Sequence, residues 1–362
     1  MIKIALITTT IHVPHVLRLY RAYAPRPEVR FFVAGDRKSP HGEIEALCAE
    51  IGNAEYQGLT KLADMTSIRD LTARPYAPYF SSCRRNIALL EALRWGADVI
   101  VTIDDDNIPI DEDYFINFET LFRRWDRDQI PTPFNGLQAT GPWFDPGCLT
   151  LPPVHHRGFP HACRVRDVPS VLRPITGAKV GVAAGLWLGD PDIDAVDRIA
   201  GAPRVHGIAE IARAGVVVDP KQTWTVFNSQ NTAFVRELAP AMMMLPGVGR
   251  HEDIFASLIC QRVMRERGYV THFGLPLVYQ ERNEHDLMDD LAAETFGMRH
   301  TLAFAEFLDG LTCSELDGSA LDAVRAIYDR MRELPWMARS WSSPSQVREA
   351  GLAWCDDVEK VL

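Results

Sequence analysis

Asp104, Asp105 and Asp106 follow the apolar run Val99-Ile100-Val101-Thr102-Ile103 without a break. Residues two apart in extended backbone share a face, so Asp104 and Asp106 point together while Asp105 points away. Two hard carboxylates converging at the carboxyl end of a strand suit a magnesium or manganese ion that keeps phosphate oxygens among its ligands. A bound cation also relieves the repulsion among three adjacent like charges. With nothing bound, the same residues read as a solvated acidic turn. His155, His156 and His161 have no carboxylate or cysteine at convincing ligand spacing, so they do not suggest zinc.

The elements that must position the triplet read as alternating α/β units. Strands are expected at Ile4 to Thr8, Val29 to Ala34 and Asp98 to Ile103. Between the last two, Arg84 to Trp95 carries Ile87, Leu90 and Leu93 at helical spacing and ends at Gly96. From Pro131 to Pro174 the period breaks down into Pro, Gly, His and aromatic residues, and so long an irregular stretch suggests function. Trp143 and Phe144 within it either stack on a ligand or anchor the loop. A helix follows His251 and stops near Gly268, and Gly274 to Tyr279 is a further strand. Beyond Leu291 the pattern is helical only, with a capping box at Ser343-Pro344-Ser345-Gln346. The expected domains are 1–290, carrying the site, and 291–362, a helical extension packed on it.

Composition narrows the partners. The 362 residues hold 38 Lys+Arg against 48 Asp+Glu, a net charge of −10 that argues against nucleic acid and anionic membrane surfaces. An anionic ligand then needs a local positive site or a bound cation. No apolar run approaches the roughly 18 residues of a membrane span. The apolar start is too short for a secretory signal, and the seven scattered cysteines form no C-x-x-C pair. A reducing, cytoplasmic location is expected.

Further segments occur in a fixed order with the triplet: Ser82-Cys83-Arg84, Arg157-Gly158-Phe159-Pro160 with Arg164, the run from Gly185 to Asp194, Asn231 to Leu238, and Glu252-Asp253. Together they make the chain, from about residue 1 to 290, similar to the reversibly glycosylated polypeptides, or UDP-arabinopyranose mutases. That resemblance implies a GT-A-like, Rossmann-type mixed α/β sheet flanked by helices. It also implies a metal-dependent, flavin-free interconversion of pyranose and furanose forms of a nucleotide sugar, with self-glycosylation at an arginine. The rivals are a transferase using the same donor site with an external acceptor, and a non-catalytic nucleotide-sugar binder or assembly subunit; under any of these readings a homo-oligomer is an open expectation.

By the same resemblance Asp104 and Asp106 are the metal ligands for Mn2+ or Mg2+, and Asp105 lies nearer the sugar or ribose. Arg157 falls at the glycosylated position, although a protonated guanidinium is a poor nucleophile and a bidentate clamp on the diphosphate is the alternative. Arg164 assists it or is a surface residue. Glu252 or Asp253 faces the sugar, or simply complements a helix dipole. Where the family has a histidine this chain has Gln280, with His285 five residues on as a replacement metal or phosphate ligand. Thr8, Thr9, Thr10, Asp36, Arg37 and Lys38 fall where such a sheet meets a nucleotide. Of Arg84 and Arg85, one reaches a phosphate and the other is solvated. Plant members imply UDP-arabinose, and the Gln280 departure leaves a GDP-hexose open.

Overall fold

A computed structural model describes residues 2–59, 74–122, 134–164, 171–282, 285–334 and 344–362. Ser343, which would cap the last helix, lies outside the described residues, as do 131–133 and 165–170 of the irregular stretch.

Ten strands form one mixed sheet. In chain order they are β1 (Ile4–Thr10), β2 (Val29–Gly35), β3 (Ala54–Gln57), β4 (Val99–Ile103), β5 (Asn107–Pro109), β6 (Phe134–Thr140), β8 (Val171–Gly189), β10 (Val216–Val218), β11 (Asn231–Val235) and β12 (Tyr269–Gln280). Thr150–Leu151 (β7) and Gly207–Ile208 (β9) pair separately. The sheet order is β3-β2-β1-β4-β11-β8-β6-β10-β12-β5, with β8 also pairing β12. β1, β2 and β4 run parallel, and every residue of β4 is buried, as expected of a central strand covered on both faces. The α/β class with helices flanking a mixed sheet, expected from the sequence, is present.

Register builds the site. Because β1, β2 and β4 are parallel, their carboxyl ends bring Thr10, Asp36 and Asp104 to one edge of the sheet. β11 enters antiparallel with Asn231 opposite Ile103, which sets Ser229 and Gln230 beside the triplet. β12 closes the other side, with Gln280 opposite Asn107 in β5.

Of these strands only β1, β2, β4 and part of β12 were expected from the sequence. β6 and the first residues of β8 fall within the stretch read as irregular, because Gly, Pro and charged residues blur the alternation. β8 is 19 residues long and joins both halves of the sheet, so pairing on both sides outweighs its weak local propensity.

After Gln280 the described elements are helical. The helix Leu287–Asp309 buries Asp290, Glu294, Gly297 and Thr301 along one stripe. A Cβ on Gly297 would stand 2.0 Å from the His251 ring, so only glycine allows this helix to pass so close to the residues that open the helix Glu252–Arg267. The last helix, Pro344–Glu359, docks through Trp354, whose indole donates to the Pro240 carbonyl at 2.8 Å, and through Asp357, which accepts from the Tyr76 hydroxyl at 2.7 Å.

Candidate active site

The sheet edge opens into a cleft of about 460 Å³. Thr9, Thr10, His12, Asp36, Phe80, Arg85, Asp104, Asp105, Asp106, Gln230, Arg250, Gln280, Arg282 and His285 are among its lining residues. An acidic wall and a basic wall therefore share one cleft, the arrangement that a cation and a polyanion bound together require.

On the acidic wall, the turn after β4 is closed by the Asp104 backbone N–H donating to Asn107 Oδ1 at 3.0 Å. Asp104 accepts from the Arg85 guanidinium, and Asp105 accepts from the Thr10 hydroxyl. Asp106 has neither kind of partner: its Oδ1 is buried with no hydrogen-bond donor, and Gln280 Oε1 is buried in the same condition. Burial, with Asp104 and Asp105 beside it, pushes the Asp106 carboxyl well above the ordinary carboxylate range. Asp105 is raised as well, by burial first, against the hydrogen bond from Thr10.

An orphaned buried carboxylate oxygen among hard oxygen donors fits a divalent cation. Among the described residues no group of three or more His, Cys, Asp or Glu could hold a metal ion. The expected trio of Asp104, Asp106 and His285 is thus not a ready-made cage. His285 Nδ1 instead lies 3.4 Å from Asp290, beside Arg282 and Arg250, and burial together with those two arginines depresses its pKa. Magnesium and manganese sites that use one or two carboxylates and take the remaining ligands from substrate phosphate and water need no third protein ligand.

The arginines are placed differently from expectation. Arg84 is 0% exposed, and its guanidinium donates to the carbonyls of Gly35 at 3.1 Å and Ala77 at 3.2 Å, so it braces β2 rather than a phosphate. Arg85 takes the place at the cleft, and it too is buried rather than solvated. Arg37 and Lys38 are exposed and lie over the rings of Tyr79 and Phe80 rather than in the cleft. Thr8 is buried inside β1, and only Thr9 and Thr10 reach the lining. Asp36 lines it, but one of its oxygens already accepts the Phe80 N–H at 2.6 Å.

Arg157 lies beneath the cleft, 7% exposed. Its Nε donates to Asp192 at 2.9 Å, one terminal nitrogen donates to both oxygens of Asp253 at 2.9 and 3.2 Å, and the other donates to the Arg250 carbonyl. Burial opposes its charge, yet Asp192 and Asp253 outweigh burial and raise its pKa further, so it stays protonated. Those bonds commit its guanidinium to Asp192, Asp253 and the Arg250 carbonyl, and Arg157 is not among the residues that line the cleft. Arg164 is likewise committed, to Asp194 at 2.7 Å and Asp197 at 2.9 Å. Asp253 is held down by Arg157 against the cost of burial, accepts the Ser229 N–H at 3.1 Å, and does not line the cleft. Glu252 is not among the lining residues either. Trp143 stacks on Trp224 with ring centres 6.2 Å apart, anchoring its loop.

Sequence reasoning missed Phe80, Arg250, Arg282 and Gln230. Phe80 is 61% exposed at a φ of 58°, a left-handed conformation that a bulky residue seldom adopts. No local pattern marks the two arginines, whose partners arrive from a distant helix.

These features define an α/β protein with an acid-edged ligand cleft at the carboxyl ends of parallel strands. A family model described as reversibly glycosylated polypeptide matches residues 81–356, and the chain belongs to that family. It is 27% identical over 175 residues to probable UDP-arabinopyranose mutase 4 of Arabidopsis thaliana, covering 47% of this chain and 46% of that one. It is 32% identical over 124 residues to UDP-arabinopyranose mutase 1 of Arabidopsis thaliana, covering 33% of each. The rice (Oryza sativa subsp. japonica) UDP-arabinopyranose mutase 1 matches equally over 124 residues. The chain thus spans less than half the length of these curated relatives. Among solved structures, glucosyl-3-phosphoglycerate synthase of Mycobacterium tuberculosis, in complex with Mn2+ and uridine-diphosphate-glucose, is similar at a TM-score of 0.41. Identity there is 12%, over 87% of this chain and 81% of that one, a likeness too slight to carry a ligand or a reaction across. Among the described residues no helix is long and apolar enough to cross a membrane.

Proposed function

We propose that the cleft binds a nucleotide sugar, most simply a UDP-sugar as the relatives' names indicate, and interconverts its pyranose and furanose forms without flavin. The carrying observation is the buried, unpartnered oxygen of Asp106 in a cleft whose other wall is basic. Residues 1–290 hold that cleft, and the helices of 291–362 brace it. A cytoplasmic location accords with this substrate class.

Asp104 and Asp106 would hold Mn2+ or Mg2+, and a bound cation would supply charge neutralisation for a departing diphosphate. The protein's own part is electrostatic. Arg85, Arg250 and Arg282 present fixed positive charge where negative charge develops as the bond from the anomeric carbon to the diphosphate breaks. Thr10 fixes the orientation of Asp105, and Gln230 and Gln280 offer amides to sugar hydroxyls. The proton that moves as the ring opens and recloses belongs with a group that lines the cleft, which favours Asp105 or His12 over Glu252 and Asp253.

The test is to incubate the protein with Mn2+ and a panel of UDP- and GDP-sugars, without acceptor, and seek an isomeric nucleotide sugar by chromatography and NMR. Only intact substrate or free sugar across the panel would sink the mutase reading. Nucleoside diphosphate release that requires an added acceptor would make the protein a transferase.

A further inference from the structure

Three groups on the basic wall share a single carboxylate. Arg250 approaches Asp290 Oδ1 at 3.1 Å, Arg282 donates to Asp290 Oδ2 at 2.8 Å, and His285 Nδ1 lies 3.4 Å from Oδ1. Arg250, Arg282 and His285 all line the cleft, whereas Asp290 is buried behind them. Asp290 belongs to the helix Leu287–Asp309, whose backbone also grips the segment: the Ala293 carbonyl accepts the Arg250 N–H at 3.3 Å. One turn on from Asp290, Glu294 lies 3.4 Å from Arg250 Nε and accepts the Ala195 N–H at 2.7 Å.

An unsupported arginine side chain carries about 2 kcal/mol of rotamer entropy, which binding would have to overcome. Two arginines and a histidine already held on one buried carboxylate have given up much of that freedom before a ligand arrives. A carboxylate behind two guanidiniums also keeps them from repelling each other apart, while each lines the cleft and spends one terminal nitrogen on Asp290.

We infer that Asp290 is a positioning residue which organises Arg250, Arg282 and His285 into a phosphate-binding wall for the diphosphate of the nucleotide ligand. The helix Leu287–Asp309 is then part of the site and not merely a brace. The inference rests on the nucleotide-sugar reading of the cleft and adds to it the place and the organiser of the phosphate contacts.

Calorimetry of uridine, UDP and GDP, each with Mn2+, on the full chain tests it. Asp290→Asn is expected to weaken diphosphate binding about tenfold, the scale of one charge-assisted hydrogen bond. Uridine affinity should stay unchanged, as a general loss of structure would not allow. In an Arg250→Ala/Arg282→Ala/His285→Ala background the same substitution should cost nothing further. Diphosphate binding that is unaffected by Asp290→Asn, or weakened equally in that background, overturns the inference while leaving the cleft reading intact. A wild-type protein that takes neither UDP nor GDP overturns the cleft reading and this inference with it. Should Asp290→Asn fail to fold, Arg282→Ala reads the same wall, and wild-type diphosphate affinity in that variant overturns it.

Discussion

Arg157 and Asp253 are joined beneath the cleft, one terminal guanidinium nitrogen reaching both carboxylate oxygens at 2.9 and 3.2 Å. The pair is one rung of a continuous ladder. Asp253 accepts from Ser229, Ser229 accepts from Arg85, and Arg85 donates to Asp104 in the cleft. At the other end Asp192 accepts from Arg157 and from Asn228, which in turn donates to Gln230 on the cleft lining. The charged members, Asp104, Arg85, Asp253, Arg157 and Asp192, alternate in sign along this ladder, with Ser229 between Arg85 and Asp253.

Arg157→Ala should therefore act as the removal of one partner from a buried ion pair, stranding Asp192 and Asp253 at a cost of about 3–5 kcal/mol. Arg157→Lys, which lacks the planar fork, should recover only part of that. Urea unfolding measures the cost. Mass spectrometry of folded protein incubated with nucleotide sugar should find no sugar on the peptide carrying Arg157. A stoichiometric adduct there, in protein that stays folded, would overturn this placement.

Asp106→Asn should separate metal binding from folding. In chelator the variant should be at least as stable as wild type, since it removes a carboxylate whose buried Oδ1 has no donor and which faces two like neighbours. Mn2+ at about 100 times its dissociation constant should stabilise wild type by about 2.7 kcal/mol and leave the variant unmoved. Asp104→Ala should lose the metal response too, and thermal melts with and without Mn2+ decide both. Equal Mn2+ stabilisation of wild type and Asp106→Asn would remove the assignment.

Glu252 sets a pH dependence of stability. Burial chiefly, with Asp253 adding, pushes its carboxyl from 4.5 up to about 7 against its own backbone N–H, Arg157 and Arg250. The folded chain holds this proton more tightly than the unfolded chain. The corresponding stability is complete below about pH 4.5 and is lost as the pH rises through about 7, at up to about 1.4 kcal/mol per unit. Glu252→Gln has no such proton to lose. Its stability relative to wild type should rise steadily between pH 5 and 7, roughly that window, and level off above it, as denaturant unfolding across the range would show. A flat difference would mean that Glu252 is already ionised at low pH.

The acidic wall was legible because the continuous apolar run of β4 leads straight into it, but the period of two did not extend to the triplet: Asp105 and Asp106 lie in a turn, and Asp105 lines the cleft with Asp104 and Asp106 instead of pointing away. The basic wall was not, since Arg250, Arg282 and Asp290 lie on three separate segments that meet only in the folded chain, where the helix Leu287–Asp309 passes close to His251. Adjacent Arg84 and Arg85 could not be told apart by type. Their roles diverge because a 3-10 turn over Ser82–Arg84 precedes the helix, sending one guanidinium under β2 and the other to Asp104. The family motif singled out Arg157 but gave no sign of Asp192 and Asp253 around it, because a motif records which residue is present and not which carboxylates fold against it.

Phe80 remains the feature with the least structural excuse. A large apolar side chain 61% exposed contributes little to folding, its φ of 58° costs stability, and its backbone N–H is fixed by Asp36 at 2.6 Å. Phe80 lines the cleft near the carboxyl end of β2, where Asp36 holds its backbone N–H, and under the proposed nucleotide-sugar reading its ring would serve the base. Phe80→Gly should leave the fold intact and raise stability by up to about 1 kcal/mol, because glycine adopts the left-handed region freely. The same substitution should weaken UDP binding by about 1–3 kcal/mol, the scale of one base stacked on one aromatic ring, while inorganic pyrophosphate binding stays unchanged. Paired melts and calorimetry with the two ligands check it. Equal loss for UDP and pyrophosphate would place the ring over the phosphates, and no loss for either would leave Phe80 outside the site.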